Sequence, residues 1–130
     1  MFAYGSVQGS GPESPQIELV CVSPLDAKIS ISVTAVIDTG SVRTCVPARY
    51  LAMLSEAGGL DYRRVRVNAV IGHYECREVI IDARIAQCEF KDLKVIEIER
   101  PYAVVGRDIL NAYKMTLDPR RGLWEVDKPC

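Results

Sequence analysis

The sequence predicts a mostly β domain that carries one or two short helices. Apolar and polar residues alternate over several short segments, as they do in half-buried strands. Glycine, proline and aspartate separate many of these segments, as in turns between antiparallel strands. With 130 residues, of which 48% are hydrophobic and 25% are charged, the chain has the length and composition of one globular domain.

The beginning of the chain differs in composition from the rest. Residues 1–16 are rich in Gly, Ser, Pro and Gln and show no apolar period, so we expect a flexible tail there and a folded domain over residues 17–130. The apolar residues of 17–22 predict a first strand. After a turn at residues 25–27, strict alternation over residues 29–35 predicts a second strand.

A helix is predicted after the second strand. Pro47 favours a helix start, because the missing N–H of proline costs nothing in the first turn. Leu51 and Leu54 share one face, and Gly58 and Gly59 predict its end.

The second half of the sequence predicts a long hairpin followed by shorter elements. Alternating residues on both sides of Gly72 indicate two strands, with this glycine near the tip. The elements expected after the hairpin are a strand at residues 93–98, an apolar run at 103–105, a short helix with Asp108 as its N-cap, and a hairpin loop at 118–122.

A candidate catalytic motif follows the second strand. The run of β-branched and small residues from Val33 onward ends in Asp38, Thr39 and Gly40. A carboxylate at the end of a buried strand is costly unless it is paired or used, and the glycine lets the backbone turn sharply. The same three residue types are also common in turns that merely end a strand, so the tripeptide alone leaves both interpretations open.

A second motif, Gly106-Arg107-Asp108 after an apolar run, lies far downstream. Apolar-apolar-Asp-Thr-Gly-Ser followed by apolar-apolar-Gly-Arg-Asp-apolar-Leu resembles the retroviral-type (retropepsin-like) single-lobed aspartic proteases. The resemblance covers residues 17–126. It implies a closed β-barrel, a homodimer and aspartic endopeptidase activity, with Asp38, Thr39 and Gly40 as the catalytic loop.

Amide hydrolysis by carboxylates needs two of them, one ionised to accept a proton from water and one protonated to polarise the carbonyl. Two carboxyl groups placed close together reach this state because both cannot ionise, and aspartic proteases are the standard example. The chain has a single Asp-Thr-Gly. We therefore expect Asp38 of two subunits to meet across a twofold axis.

The resemblance also implies roles for other residues. The hairpin is expected to close over an extended peptide as a flap, with Gly106, Arg107 and Asp108 as structural support for the catalytic loop. The expected substrate-binding residues are Ser41, Val42, Val70, Ile71 and Gly72. Val42 stands where the retroviral pattern has an acid, so Arg107 lacks its usual carboxylate partner.

Composition excludes several other functions. A net charge of −1 with interspersed signs does not suggest nucleic acid or a membrane surface as a partner. We expect no cofactor and no metal. The start of the chain has no basic and apolar blocks typical of a signal peptide, and the five cysteines are scattered, so we expect reduced thiols and a cytoplasmic location.

Two alternatives remain open from the sequence. One is a non-catalytic peptide-binding or dimerisation module on the same fold, and the other is an unrelated small β-barrel with a coincidental motif. With His73 as the single histidine, expected on an exposed loop, a serine or cysteine protease triad is disfavoured.

Overall fold

A computed structural model of the chain describes residues 1–6, 12–69 and 72–127. This part of the chain contains ten strands and two helices, which confirms the mostly β fold class. The strands are β1 Phe2–Gly5, β2 Ser14–Val22, β3 Ser30–Ile37, β4 Cys45–Pro47, β5 Tyr62–Ala69, β6 Gly72–Ile85, β7 Cys88–Ile98, β8 Ala103–Val105, β9 Lys114–Asp118 and β10 Leu123–Asp127. The helices are α1 Ala48–Gly58 and α2 Arg107–Leu110.

The strands form one sheet in the order β5-β6-β7-β4-β8-β3-β2-β1-β10-β9. β2 also pairs with β6, so the pairings run from β6 through β7, β4, β8, β3 and β2 and return to β6. Side chains on the inner faces of these strands pack with those of α1 into one core. Its fully buried members include Leu19, Val46, Leu51, Ile81 and Val95.

The parallel pairing of β3 with β8 brings the two sequence motifs together. Ala35 pairs with Ala103 and Ile37 with Val105. Because the two strands run in the same direction, the residues that follow them leave the sheet at the same edge. The segments that begin at Asp38 and Gly106 therefore lie next to each other.

The helices follow the predictions with differences at their ends. Leu51 and Leu54 are the buried residues of α1, and Gly59 ends this helix with φ of 69°. Pro47 is the residue before α1 rather than its first residue. α2 ends at Leu110, whereas the apolar residues Ile109, Leu110 and Tyr113 predicted a helix that continues to Tyr113.

Parts of the expected N-terminal tail belong to the sheet. β1 pairs with β10 and with β2, and β2 begins at Ser14, before the expected first strand. The rings of Phe2 and Trp124 lie 4.9 Å apart, and the Trp124 indole donates a hydrogen bond to the Gln16 carbonyl oxygen at 3.1 Å. These contacts explain why a glycine- and serine-rich segment forms sheet at both of its ends.

The predicted long hairpin is β5 and β6, paired from Tyr62–Val79 to Ala69–Gly72. Gly72 has φ of 109°, a conformation that favours glycine.

In the described part of the chain, no helix is long and apolar enough to cross a membrane.

The cysteines differ from the prediction. Cys21, Cys45 and Cys76 are free thiols, but Cys88 is disulfide-bonded. The prediction that all cysteines are reduced is therefore wrong for Cys88, because spacing in the sequence does not show which cysteines a fold brings together.

Candidate active site

The candidate site is the loop that follows β3. The Asp38 N–H donates to the Val105 carbonyl oxygen at 3.1 Å, which fixes the start of the loop to β8. The Asp38 carboxylate accepts a hydrogen bond from the Gly40 N–H at 2.9 Å, and the Ser41 N–H donates to the Asp38 carbonyl oxygen at 3.2 Å. Asp38, Thr39 and Gly40 are all exposed. The loop therefore presents its carboxylate outward from a hydrogen-bonded turn.

Gly40 leaves room for that carboxylate. A Cβ atom at this position would lie 3.1 Å from Asp38 Oδ1. A side chain here would press on the oxygen that accepts the Gly40 N–H. A glycine therefore suits this turn for reasons of space.

The second motif holds the loop from behind. The backbone N–H groups of Arg107 and Asp108 donate to the carbonyl oxygens of Ser41 at 2.8 Å and Val42 at 3.3 Å. The Arg107 guanidinium donates to the Thr39 carbonyl oxygen at 3.2 Å. Arg107, which we expected to lack a carboxylate partner, thus contacts the loop through a main-chain oxygen.

Gly106 permits the close approach of the two motifs. A Cβ atom here would lie 2.6 Å from both the carbonyl carbon and the carbonyl oxygen of Arg43, and 2.9 Å from the Ser41 carbonyl oxygen. These are backbone atoms that cannot move aside without shifting the loop. Any other residue at position 106 would push the loop away from β8.

Asp108 binds Thr44 instead of capping its own helix. Thr44 is fully buried. Its N–H donates to Asp108 Oδ2 at 3.0 Å and its hydroxyl donates to Asp108 Oδ1 at 2.7 Å. The Thr44 hydroxyl also accepts the Gly106 N–H at 3.2 Å. The N-cap of α2 is Gly106, so the predicted capping role of Asp108 is wrong: its carboxylate is turned toward the loop, where it satisfies buried donors.

An ion-pair cluster around the buried Glu78 carboxylate lies beside the loop. The Glu78 side chain, 6% exposed, pairs with Arg43 of the loop and with Arg63 of β5 at 3.1 Å. Burial acts to raise the pKa of Glu78, but the Arg43 hydrogen bond and charge, with the charges of Arg63 and Lys94, outweigh it and hold the pKa below its ordinary value.

The expected substrate-binding residues lie in two places. Ser41 and Val42 belong to the loop, where the Ser41 hydroxyl donates to the Arg43 carbonyl oxygen at 2.7 Å and Val42 is 62% exposed. Gly72 is exposed at the start of β6. Val70 and Ile71 lie outside the described residues. His73 is exposed on β6, as expected, and its ring hydrogen-bonds the side chain of Asn68 across the hairpin.

Thr44, Arg43 and Glu78 were missed by the sequence analysis. Thr44 starts a short apolar segment, and nothing in the neighbouring residues indicates that its hydroxyl has a buried partner. Glu78 directly precedes the apolar run Val79-Ile80-Ile81, and an acid at such a place is a weak signal for a buried, paired carboxylate.

Comparisons with known proteins support the fold. No protein-family model matches the sequence, and no curated protein matches it either. Among solved structures, the chain is similar to the EIAV protease complexed with the inhibitor HBY-793. The TM-score is 0.51 and the identity is 17%, over 82% of this chain and 91% of that chain. The chain thus has a fold similar to that of a retroviral protease.

Proposed function

We propose that this chain is one subunit of a homodimeric aspartic endopeptidase, in which a water molecule is activated between the Asp38 carboxylates of two copies. The observation that carries the proposal is the way the Asp38 loop is held. Four hydrogen bonds from β8 and α2 fix its backbone, while its carboxylate stays exposed. A fold similar to that of a retroviral protease supports the same assignment.

A second copy of the chain would supply the second catalytic carboxylate, which one subunit lacks. Asp108, the acid of the second motif, uses both carboxylate oxygens to accept hydrogen bonds from Thr44. It is therefore committed to structure and does not serve as the second catalytic acid. A twofold axis next to the loop would bring Asp38 face to face with its own copy.

The paired carboxylates would divide the chemistry. One proton shared by two close carboxyl groups leaves one as a general base for water and the other as a donor to the substrate carbonyl. The pair titrates as a unit, so the two roles can exchange between subunits. Thr39 would brace the two loops across the axis, and Gly40 would let the substrate backbone approach.

The substrate would be an extended peptide between the loop and the β5–β6 hairpin. Backbone hydrogen bonds give affinity in this mode of recognition, and alternate side chains enter pockets. Ser41 and Val42 would line the loop side, while Gly72 with Val70 and Ile71 would cover the peptide from the hairpin. The exposed Val42 favours apolar residues next to the cleaved bond.

A subunit-mixing experiment tests the proposal. Wild-type protein is incubated with a peptide library between pH 3 and 7, and cleavage is followed by mass spectrometry with and without pepstatin. Asp38→Asn is then mixed with wild type at equal concentration, with time for subunit exchange. If each active site needs two Asp38 carboxylates, random pairing leaves about one quarter of the dimers active.

The control is Asp61→Asn, because Asp61 is also an exposed aspartate. This variant should cleave peptides at the wild-type rate, and mixing it with wild type should not lower the cleavage rate. Cleavage by Asp38→Asn alone would refute the mechanism. Activity in the mixture that falls only to one half would refute the shared site. A wild-type protein that binds peptides without cleaving them would instead support a non-catalytic module.

A further inference from the structure

Glu78 lies where the hairpin meets the candidate catalytic loop. It sits on β6 directly opposite Arg63 of β5 in the strand pairing. One carboxylate oxygen pairs with Arg63 and the other with Arg43, which belongs to the loop. A single buried side chain therefore contacts both strands of the hairpin and the loop.

Arg43 is held at both ends. Its guanidinium also donates to the Lys94 carbonyl oxygen of β7 at 3.1 Å. Its own carbonyl oxygen accepts the Ser41 hydroxyl at 2.7 Å, and its peptide packs against Gly106. A displacement of Arg43 would therefore reach Ser41, which bonds the Arg43 carbonyl oxygen through its hydroxyl and lies three positions from Asp38.

The energetic balance makes this connection sensitive. A buried carboxylate is tolerated only with charged or hydrogen-bonding partners, and removing one member of such a cluster leaves the others uncompensated. The lowered pKa of Glu78 agrees with a side chain that is ionised between its two arginines.

We infer that Glu78 is a positioning residue that joins the β5–β6 hairpin to the Asp38 loop through Arg43. It acts on the loop through Arg43 and not on the reacting groups themselves. It sets the position of the loop and makes that position depend on the hairpin. The catalytic consequence of this role rests on the proposed function, whereas the structural connection does not.

The Arg77–Glu97 pair offers a matched control. Arg77 of β6 donates two hydrogen bonds to Glu97 of the neighbouring strand β7, at 2.8 and 2.7 Å. The Arg77 guanidinium lies over the Tyr62 ring, away from the Asp38 loop. Glu97→Gln thus weakens an ion pair of the same type without touching Arg43.

Hydrogen exchange of the full chain, followed amide by amide by NMR, tests the connection. The reporters are the N–H groups of Ser41, Arg107 and Asp108, which bond to loop carbonyl oxygens. In Glu78→Gln they should exchange about tenfold faster than in wild type. In Glu97→Gln they should stay within about twofold, and amides in the β2–β3 pairing should change in neither variant.

Equal acceleration in both glutamine variants would show general loosening and overturn the inference, as would unchanged loop amides in Glu78→Gln. Should Glu78→Gln fail to fold, Arg43→Lys is the second variant: it keeps the charge, but its shorter side chain does not place the ammonium where one guanidinium nitrogen contacts both Glu78 and the Lys94 carbonyl oxygen. It should accelerate the same three amides about threefold, and no acceleration would overturn the inference.

Kinetics separate this inference from the proposed function. If wild type cleaves peptides, Glu78→Gln should lower kcat about tenfold with KM within about twofold, since the loop geometry and not the peptide contact is changed. If wild type cleaves nothing, the proposed function fails, and the exchange data still decide whether Glu78 positions the loop.

Discussion

Thr44 and Asp108 lie 64 positions apart and are joined by two hydrogen bonds, from the Thr44 N–H at 3.0 Å and from its hydroxyl at 2.7 Å. The same hydroxyl accepts the Gly106 N–H. One small buried side chain thus connects the end of the Asp38 loop with the start of α2. It makes the two sequence motifs a single structural unit.

Thr44→Val should therefore destabilise the protein although it preserves shape. The change leaves a carboxylate oxygen of Asp108 and the N–H of Gly106 without their partner. The Gly106 N–H is buried and an unsatisfied buried donor costs about 1–3 kcal/mol, whereas water can reach the exposed Asp108. We therefore expect a loss of about 1–3 kcal/mol in the free energy of unfolding, measured with urea. Thr34→Val, at an exposed position of β3, is the control and should be nearly neutral. Similar values for both variants would contradict this account.

Asp38→Asn should separate activity from stability. Asn keeps an oxygen that can accept the Gly40 N–H, so the free energy of unfolding should change by less than about 1 kcal/mol. If Asp38 forms the proposed dyad, peptide cleavage should fall by about 10³ or more, because no other group would replace the lost carboxylate. Denaturation and cleavage assays on the same preparation give both values. A large loss of stability would mean that Asp38 supports the fold.

Gly106→Ala should disturb the loop through a steric clash. The new methyl group would lie 2.6 Å from the Arg43 carbonyl group, a distance that requires the backbone to shift. Overpacking of this kind costs about 1–3 kcal/mol. Gly122→Ala is the comparison: it has φ of 64°, with its nearest atom, Tyr4 Cβ, at 3.9 Å. It should lose stability by about 1–2 kcal/mol from backbone strain and leave peptide cleavage unchanged.

The stability of the protein should fall in acid through Glu78. Its folded-state pKa lies below the ordinary value of 4.5, because Arg43, Arg63 and Lys94 outweigh the effect of burial. The stabilising contribution of the ionised group is thus complete above that value and is lost as the pH falls through the folded-state pKa. Urea denaturation of wild type and Glu78→Gln should show a stability difference that shrinks from pH 7 toward acid. A difference that grows in acid would contradict the assignment.

Phe2→Ala should show that β1 is part of the folded domain. The Phe2 ring packs on Trp124, and an aromatic pair contributes about 0.5–1.5 kcal/mol beyond the area that it buries. We expect a loss of about 1–3 kcal/mol in the free energy of unfolding and a shift in Trp124 fluorescence. Ala3→Ser, on the neighbouring position, is the control. If Phe2→Ala changes neither the free energy of unfolding nor the Trp124 fluorescence, residues 2–5 act as a tail in solution.

Alternation and the two motifs were sufficient to predict the β fold class, the long hairpin and helix α1. These features depend on neighbouring residues, which a sequence displays directly. The closeness of Asp38 to Gly106 came from the resemblance, because the parallel β3–β8 pairing joins segments that are remote in the chain.

Other features could not be predicted because they depend on distant partners. β1 forms a strand because β10 and β2 flank it, whereas its own composition resembles a tail. Glu78 is buried because Arg43 arrives from the loop to pair with it. The sequence predicts Asp108 as an N-cap, but its carboxylate accepts hydrogen bonds from the buried Thr44 instead.

The place of β1 between β2 and β10 affects how the chain folds during synthesis. Phe2 pairs in register with Trp124, so an early-translated segment completes its hydrogen bonding only after a late one has left the ribosome. Contacts of such long range form slowly. Until β10 has been synthesised, the edge of β1 that pairs with it has free hydrogen-bonding groups. We expect these groups to pair wrongly with strands of neighbouring nascent chains on the same polysome.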